Sequence, residues 1–240
     1  MKKQPNQLAY LLPNFFTASS IFAGIYSIIS AVEGNFIIAA WMVLLSLIFD
    51  GLDGRVARMT NTCSQFGVEF DSLADIVAFG VAPAMLIYLY AGIDFGRFGI
   101  MVSAFFVVFG GIRLARFNVM TGESEPSVFI GVPIPTAAVF ISVLVLLFEQ
   151  YAFLAEYKLV ILLSALVVAV LMVSNIRYPS FKKVDLDKKH MRRTLIALVA
   201  VAMFIFIYPV EGFAIFFVCY ILYGPILSLI HLYKRSKLLK

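Results

Sequence analysis

Histidine and cysteine, from which most transition-metal sites and covalent catalytic pairs are built, are nearly missing from this 240-residue chain, which holds two of each. Cys63 and Cys219 lie far apart in sequence with no ligand spacing between them. That excludes a zinc knuckle and a disulfide framework, and both are expected as free thiols. His190 and His231 each stand alone among basic residues, so neither is placed to ligate or attack. Charge is scarce as well: 14% of the residues carry one, against 62% that are hydrophobic. So little charge cannot clothe an ordinary soluble domain. There is no low-complexity tract and no internal repeat, which argues against the inverted-repeat architecture of many transporters. Connections between apolar stretches are a few residues long except near 118 to 131 and 177 to 193, leaving no room for a separate soluble domain.

What the chain has is apolar length. A spanning helix needs about 20 mainly apolar residues, and eight stretches qualify: roughly 11 to 31, 35 to 54, 71 to 91, 98 to 117, 132 to 153, 157 to 176, 194 to 210 and 212 to 233. The leading MKKQPNQLAY is short and no small-residue cleavage signal follows it, so the first stretch is expected to stay as a span. The expectation is an all-α, polytopic transmembrane bundle forming a single membrane-embedded catalytic domain over 1–240.

Basic residues set its orientation, because positive loops are retained on the cytoplasmic side. With the N-terminus inside, 17 of the 19 Lys and Arg fall at the inner face, and only Arg97 and Lys158 lie outside. Both termini are therefore expected in the cytoplasm. The net charge of +5 does not point to nucleic acid. The run KKVDLDKKHMRR faces the anionic inner leaflet of the lipid bilayer, where each cation gains on the order of 1 kcal/mol.

Against this background the stretch from Phe49 to Asp75 is costly: four aspartates and two arginines where charge is otherwise avoided. A charge at mid-membrane costs about 2.5 to 3.5 kcal/mol even on the lenient insertion scale. At about 100° per residue, Asp50, Asp53, Gly54, Ala57 and Arg58 fall in one stripe, with the two smallest side chains in its middle. Asp71 and Asp75 are stacked neighbours at i and i+4, and Ala78 and Ala82 continue that face with small residues. Two acidic faces thus meet across a short turn. Oxygen-only clusters suit hard divalent cations that also bind phosphate, and paired metals can clamp an in-line phosphoryl substitution. The small residues would admit a bulky ligand and Arg58 would meet a phosphate. The residues alone point to metal-assisted chemistry on a phosphorylated, lipidic substrate at the inner membrane surface.

Asp50, Asp53, Gly54, Ala57, Arg58, Gly67, Asp71 and Asp75 match, with no insertion, the pattern D-x-x-D-G-x-x-A-R-x8-G-x3-D-x3-D; Gly51 is a common extra match. In this the chain resembles the CDP-alcohol phosphatidyltransferase family. The phrases FDSLADIVAFGVAPA (70–84), GGIRLARFNV (110–119), GVPIPTAA (131–138) and VSNIRYPSFKK (173–183) resemble its membrane-integral, serine-accepting branch. One departure is Ala78, where that branch often has Ser. The resemblance implies transfer of the phosphatidyl group of CDP-diacylglycerol to the hydroxyl of L-serine, with release of CMP. It implies that Asp50, Asp53, Asp71 and Asp75 bind two divalent cations, Mg2+ or Mn2+, and that Asp75 is also the base that takes the serine proton. Asn14, Thr17, Gly54, Ala57, Arg58 and Ser64 would contact the CDP-lipid, and a homodimer is the usual assembly. Asn14, after Pro13, is equally suited to capping a helix, and Ser64 to satisfying turn backbone.

A serine carboxylate asks for a cation. Arg113 and Arg116 share a helix face near the inner end of the fourth stretch, and with Asn118 they make an acceptor pocket; the alternative for Arg116 is a simple interface anchor. Arg177 is suited to a phosphate or lipid headgroup. Glycerol phosphate and inositol phosphate remain alternative acceptors, since enzymes using them share the aspartate motif. A divalent-cation transporter would explain the carboxylates but not Gly54, Ala57 and Arg58 at these spacings. A membrane polyprenyl transferase would want two distant acidic motifs and a longer chain. A synthase working through a covalent histidine would show paired H-x-K-x4-D motifs, which His190 and His231 do not form.

Overall fold

A computed structural model of the chain describes residues 11–120, 128–179, 199, 201 and 203–238. Lys2, Lys3, the basic run 182–193 with His190, and part of the seventh apolar stretch lie outside the described residues.

Helix α1 (Leu11–Val32) and helix α2 (Phe36–Thr60) form an antiparallel hairpin around Gly34, whose φ of +81° only glycine adopts readily. The buried side chains of α1 include Thr17, Ser20, Ala23, Gly24, Ser27, Ser30 and Ala31, three and four residues apart on one face. Among lipid tails there is no hydrophobic drive between helices, so close backbone approach and interhelical hydrogen bonds must hold the pair. Ser27 Oγ donates to the Ala39 carbonyl at 2.8 Å and Ser20 Oγ to that of Ser46 at 3.3 Å.

Helix α3 (Gln65–Asp75) continues through a π-helical segment, Ile76–Val81, into α4 (Ala82–Tyr90). The widened turn has a local cause. Pro83 has no N–H to donate and its ring crowds the carbonyl four residues back, and a turn with five-residue bonds, such as Ala82 N to Val77 O, accommodates it. Ala78 and Ala82 are fully buried. A Cβ added at Gly24 would lie 2.9 Å from the Ala78 Cα, so the small residue at Ala78 serves close packing against α1.

Further helices among the described residues are α5 (Arg97–Met120), α6 (Ile134–Gln150), α7 (Leu159–Val173) and α8 (Pro209–Leu238), with 3-10 turns at Gly92–Phe95 and Ala152–Tyr157. One core cluster runs through α2, α4, α5, α6 and α7. At the end remote from the aspartates, Lys158 Nζ pairs with Asp94 Oδ2 at 2.8 Å. There too Tyr151 OH and Gln150 Nε2 donate to Glu211 Oε1 at 2.6 and 2.8 Å.

Among the described residues, five helices are long and apolar enough to cross a membrane: Leu11–Val32, Phe36–Thr60, Gln65–Tyr90, Arg97–Met120 and Pro209–Ser228. Helices α6 and α7 are shorter, at 17 and 15 residues. Residues 203–207 of the seventh apolar stretch are helical.

A helical membrane bundle was expected, and two short strands join it. Strand β1 (Val128–Ile130) pairs antiparallel with β2 (Arg177–Pro179), Phe129 opposite Tyr178. Gly131 extends the contact, its N–H donating to the Ile176 carbonyl at 2.8 Å. Its φ is +74°, and an added Cβ would collide with the Met172 carbonyl oxygen. The GVPIP segment thus fixes the entry into α6 through a backbone ladder.

Candidate active site

The acidic cluster is assembled by a tight turn. Helix α2 ends at Asn61 in the left-handed conformation, φ 53°, and Ser64 opens α3 with its Oγ accepting from Gly67 N at 3.0 Å. One carboxylate oxygen from each of Asp50, Asp53 and Asp71 lies within 4.8 Å of the others. Asp75, one turn beyond Asp71, brings its carboxyl group into hydrogen-bonding range of Asp50. Three of the four aspartates expected as metal ligands thus share one oxygen cluster, and Asp75 adjoins it through Asp50. Helix α1 orients one of them: Thr17 Oγ1 donates to Asp53 Oδ2 at 2.7 Å, and both side chains are buried.

The donor set fits a hard divalent cation. Asp71 Oδ1 and Asp75 Oδ1 are buried with no hydrogen-bond partner. An anionic oxygen left so in a low-dielectric setting carries a cost of several kcal/mol, on the order of that for any unpaired buried charge, and a cation among oxygen-only ligands removes it.

Beside the cluster lies a cavity of about 200 Å³. Asn14, Thr17, Gly54, Ala57, Arg58 and Ser64, the six expected CDP-lipid contacts, all line it together with Asp53 and Asp71. Each has a local reason to be there. The Arg58 guanidinium folds back over Gly54, where an added Cβ would sit 3.4 Å from Nη1. Asn14 lies inside α1, beyond its first turn, so it is not the cap of that helix. Ser64 caps α3 and lines the cavity as well. The sequence reading missed Thr62 and Cys63, which enter from the turn; their only signal was their position between the two acidic helices.

The structure separates the three residues assigned to the acceptor. Arg113, 8% exposed, is within electrostatic reach of Asp75 and holds its guanidinium 5.1 Å from the Phe117 ring centroid. Arg116 turns away, donating to Asn175 Oδ1 at 2.8 Å and to the Val173 carbonyl at 3.4 Å, where the end of α7 presents unpaired carbonyls. Asn118 Nδ2 donates to Ser72 Oγ at 2.8 Å, next to Asp71 in sequence. Tyr220, not singled out in the sequence, lies within electrostatic range of Arg113.

A helical membrane protein that joins an oxygen-only acidic cluster to an arginine-lined cavity within one hairpin is of the class that handles anionic, phosphorylated ligands. The chain belongs to the CDP-alcohol phosphatidyltransferase family, whose model matches residues 10–171. It is 52% identical over 218 residues, 90% of each chain, to the CDP-diacylglycerol–serine O-phosphatidyltransferase of Helicobacter pylori. It is 36% identical over 170 residues, 70% of this chain and 69% of the other, to the archaetidylserine synthase of Methanothermobacter thermautotrophicus. A CDP-diacylglycerol–serine O-phosphatidyltransferase of Methanocaldococcus jannaschii is 33% identical over 186 residues, 77% of this chain and 81% of the other.

Proposed function

We propose that this chain transfers the phosphatidyl group of CDP-diacylglycerol to the hydroxyl of L-serine, releasing CMP, at the cytoplasmic face of the cytoplasmic membrane. The observation that carries this reading is the buried Arg113 beside Asp75. A group able to accept a hydroxyl proton and a cation able to hold a carboxylate stand side by side, as the two ends of serine require. The relatives named for serine transfer support the same acceptor.

Asp50, Asp53, Asp71 and Asp75 would hold two divalent cations, Mg2+ or Mn2+, which when bound supply positive charge to the pyrophosphate oxygens. Arg58 meets the CDP phosphates in the cavity, over the gap left by Gly54 and Ala57, while Asn14, Thr17 and Ser64 line its other wall. Arg113 holds the serine carboxylate, and Asn118 braces the same side against α3. The serine oxygen attacks the β-phosphorus, its proton passes to Asp75, and the bond from that phosphorus to the oxygen of CMP breaks. A carboxylate is a weak base at rest, but the proton it takes grows more acidic as attack proceeds. The proposed setting is a single domain of eight spans with both termini cytoplasmic, supported by the distribution of Lys and Arg, and assembled as a homodimer.

CMP release from CDP-diacylglycerol, measured with serine, glycerol phosphate or inositol phosphate and with Mg2+, Mn2+ or a chelator, tests the reading. The expected result is release with serine and a divalent ion only. Release with glycerol phosphate or inositol phosphate and none with serine would reassign the acceptor, while divalent-ion flux in sealed vesicles without CMP release would overturn the enzyme.

The two arginines should differ. Arg113→Ala is expected to raise the KM for serine about tenfold or more, the loss of one charged hydrogen bond, with little change in the KM for CDP-diacylglycerol. Arg116→Ala should move it far less, because that side chain is engaged by Asn175 and Val173. Equal changes in both KM values for Arg113→Ala would remove it from the serine site.

A further inference from the structure

Three hydroxyls on the buried face of α1 reach across to α2, and they do not all find the same kind of partner. Ser27 and Ser20 donate to backbone carbonyls, those of Ala39 and Ser46. Both serines are buried, so they pin the two helices together whether or not a ligand is bound. Thr17, three residues before Ser20 on the same face, meets a side chain instead, the Asp53 carboxylate. A hydroxyl has one proton to give. Thr17 Oγ1 stands 2.7 Å from Asp53 Oδ2 and 3.2 Å from the Pro13 carbonyl oxygen of its own helix. The shorter bond runs to the charged acceptor, which forms the stronger kind of bond, so the proton belongs to Asp53. Thr17 borders the cavity, yet at 3% exposed it has almost no free surface to offer a ligand there.

Resting on the metal reading above, we propose that Thr17 is a positioning residue for the metal site: it holds Asp53 as the fixed ligand against which a divalent cation seats, and it does not itself contact the CDP-lipid. The other carboxylates are held differently. Asp50 and Asp75 face each other, and Asp71 Oδ1 and Asp75 Oδ1 are buried without a partner. Asp53 alone among them, within the described residues, is gripped by a hydroxyl from another helix. The nature of that grip matters. Arg58 folds its guanidinium over Gly54, so the side chain that fastens Asp53 is neutral. A neutral donor fixes the direction of a carboxylate and leaves its negative charge to the cation. Partners of this kind, one step behind a ligand, govern how tightly the metal is held. The serine bonds to backbone carbonyls fasten α1 to α2, whereas the threonine bond carries that fixed position into the cluster.

The test is Mn2+ binding to the purified full chain without substrate, followed by loss of the free-ion electron paramagnetic resonance signal, for wild type, Thr17→Val, Thr17→Ser and Ser20→Ala. Valine keeps the β-branched shape and removes the hydroxyl, while serine keeps the hydroxyl. Expected is an apparent Kd about tenfold or more weaker for Thr17→Val, with Thr17→Ser and Ser20→Ala within about threefold of wild type. The Mn2+ concentration that gives half-maximal CMP release should rise for Thr17→Val in the same proportion. Mn2+ binding by Thr17→Val equal to that of wild type would overturn the proposal, and a raised KM for CDP-diacylglycerol in that protein would make Thr17 a lipid contact. Equal weakening in Ser20→Ala would reduce the effect to helix packing and overturn it too, as would Thr17→Ser binding no better than Thr17→Val. If the wild type itself binds no Mn2+, the metal reading fails and the proposal falls with it.

Discussion

Asp75→Asn should lower CMP release by about 10²- to 10⁴-fold, the usual range for loss of a positioned acid–base group, while the bundle keeps its fold. The substitution preserves shape and volume between Asp50 and Arg113. It removes one of several like charges held close together, so repulsion within the cluster falls and stability does not suffer. What disappears is the carboxylate that would take the acceptor proton. Rate and thermal unfolding in detergent should be measured together. Residual turnover within tenfold of wild type, in protein that unfolds at the wild-type temperature, would exclude Asp75 as the base.

The second large effect is expected far from the carboxylates. Gly131→Ala should destabilise the protein by about 2 kcal/mol or more, because alanine at φ +74° is strained and its Cβ meets the Met172 carbonyl. The backbone bond from Gly131 to Ile176 is the natural point of failure. Gly111→Ala is the control: its Cβ would meet only Ile76 Cδ1 at 3.5 Å, an ordinary contact, and should leave the unfolding temperature near that of wild type. Equal unfolding temperatures for Gly131→Ala and wild type would show that the ladder carries no stability.

The donor side of the site was legible because its determinants are local. Helical periodicity alone put Asp50, Asp53, Gly54, Ala57 and Arg58 on one stripe, and a short turn delivered Asp71 to it. Hydropathy located the helices because apolar length is a property of contiguous residues. The proposed acceptor side was less legible, because what surrounds each of its residues is decided only in three dimensions. Arg113 and Arg116 look alike at i and i+3, yet one faces Asp75 and the other Asn175, a difference set by which helix packs beside each. Pairing of residues 128–130 with 177–179 leaves no trace in either segment's hydropathy. The π-helical segment was hidden too, although Pro83 marks the place. A proline inside an apolar run signals a distortion without saying of which kind.

Helix α7 has a consequence for the surrounding lipid. Fifteen residues give a rod of about 22 Å, while the hydrocarbon layer is about 30 Å thick. Leu159, Leu163, Val167 and Val170 along it are exposed, and Phe153 and Tyr157 stand exposed just before its first turn. A free helix could meet such hydrophobic mismatch by sliding against its neighbour. This one is tied at both ends, by the 3-10 connection Ala152–Tyr157 on one side and by the β ladder just past its other end. In the proposed eight-span setting the adjustment would fall to the lipid: acyl chains beside α7 would shorten or splay, and a dimple of thinned bilayer would follow this face.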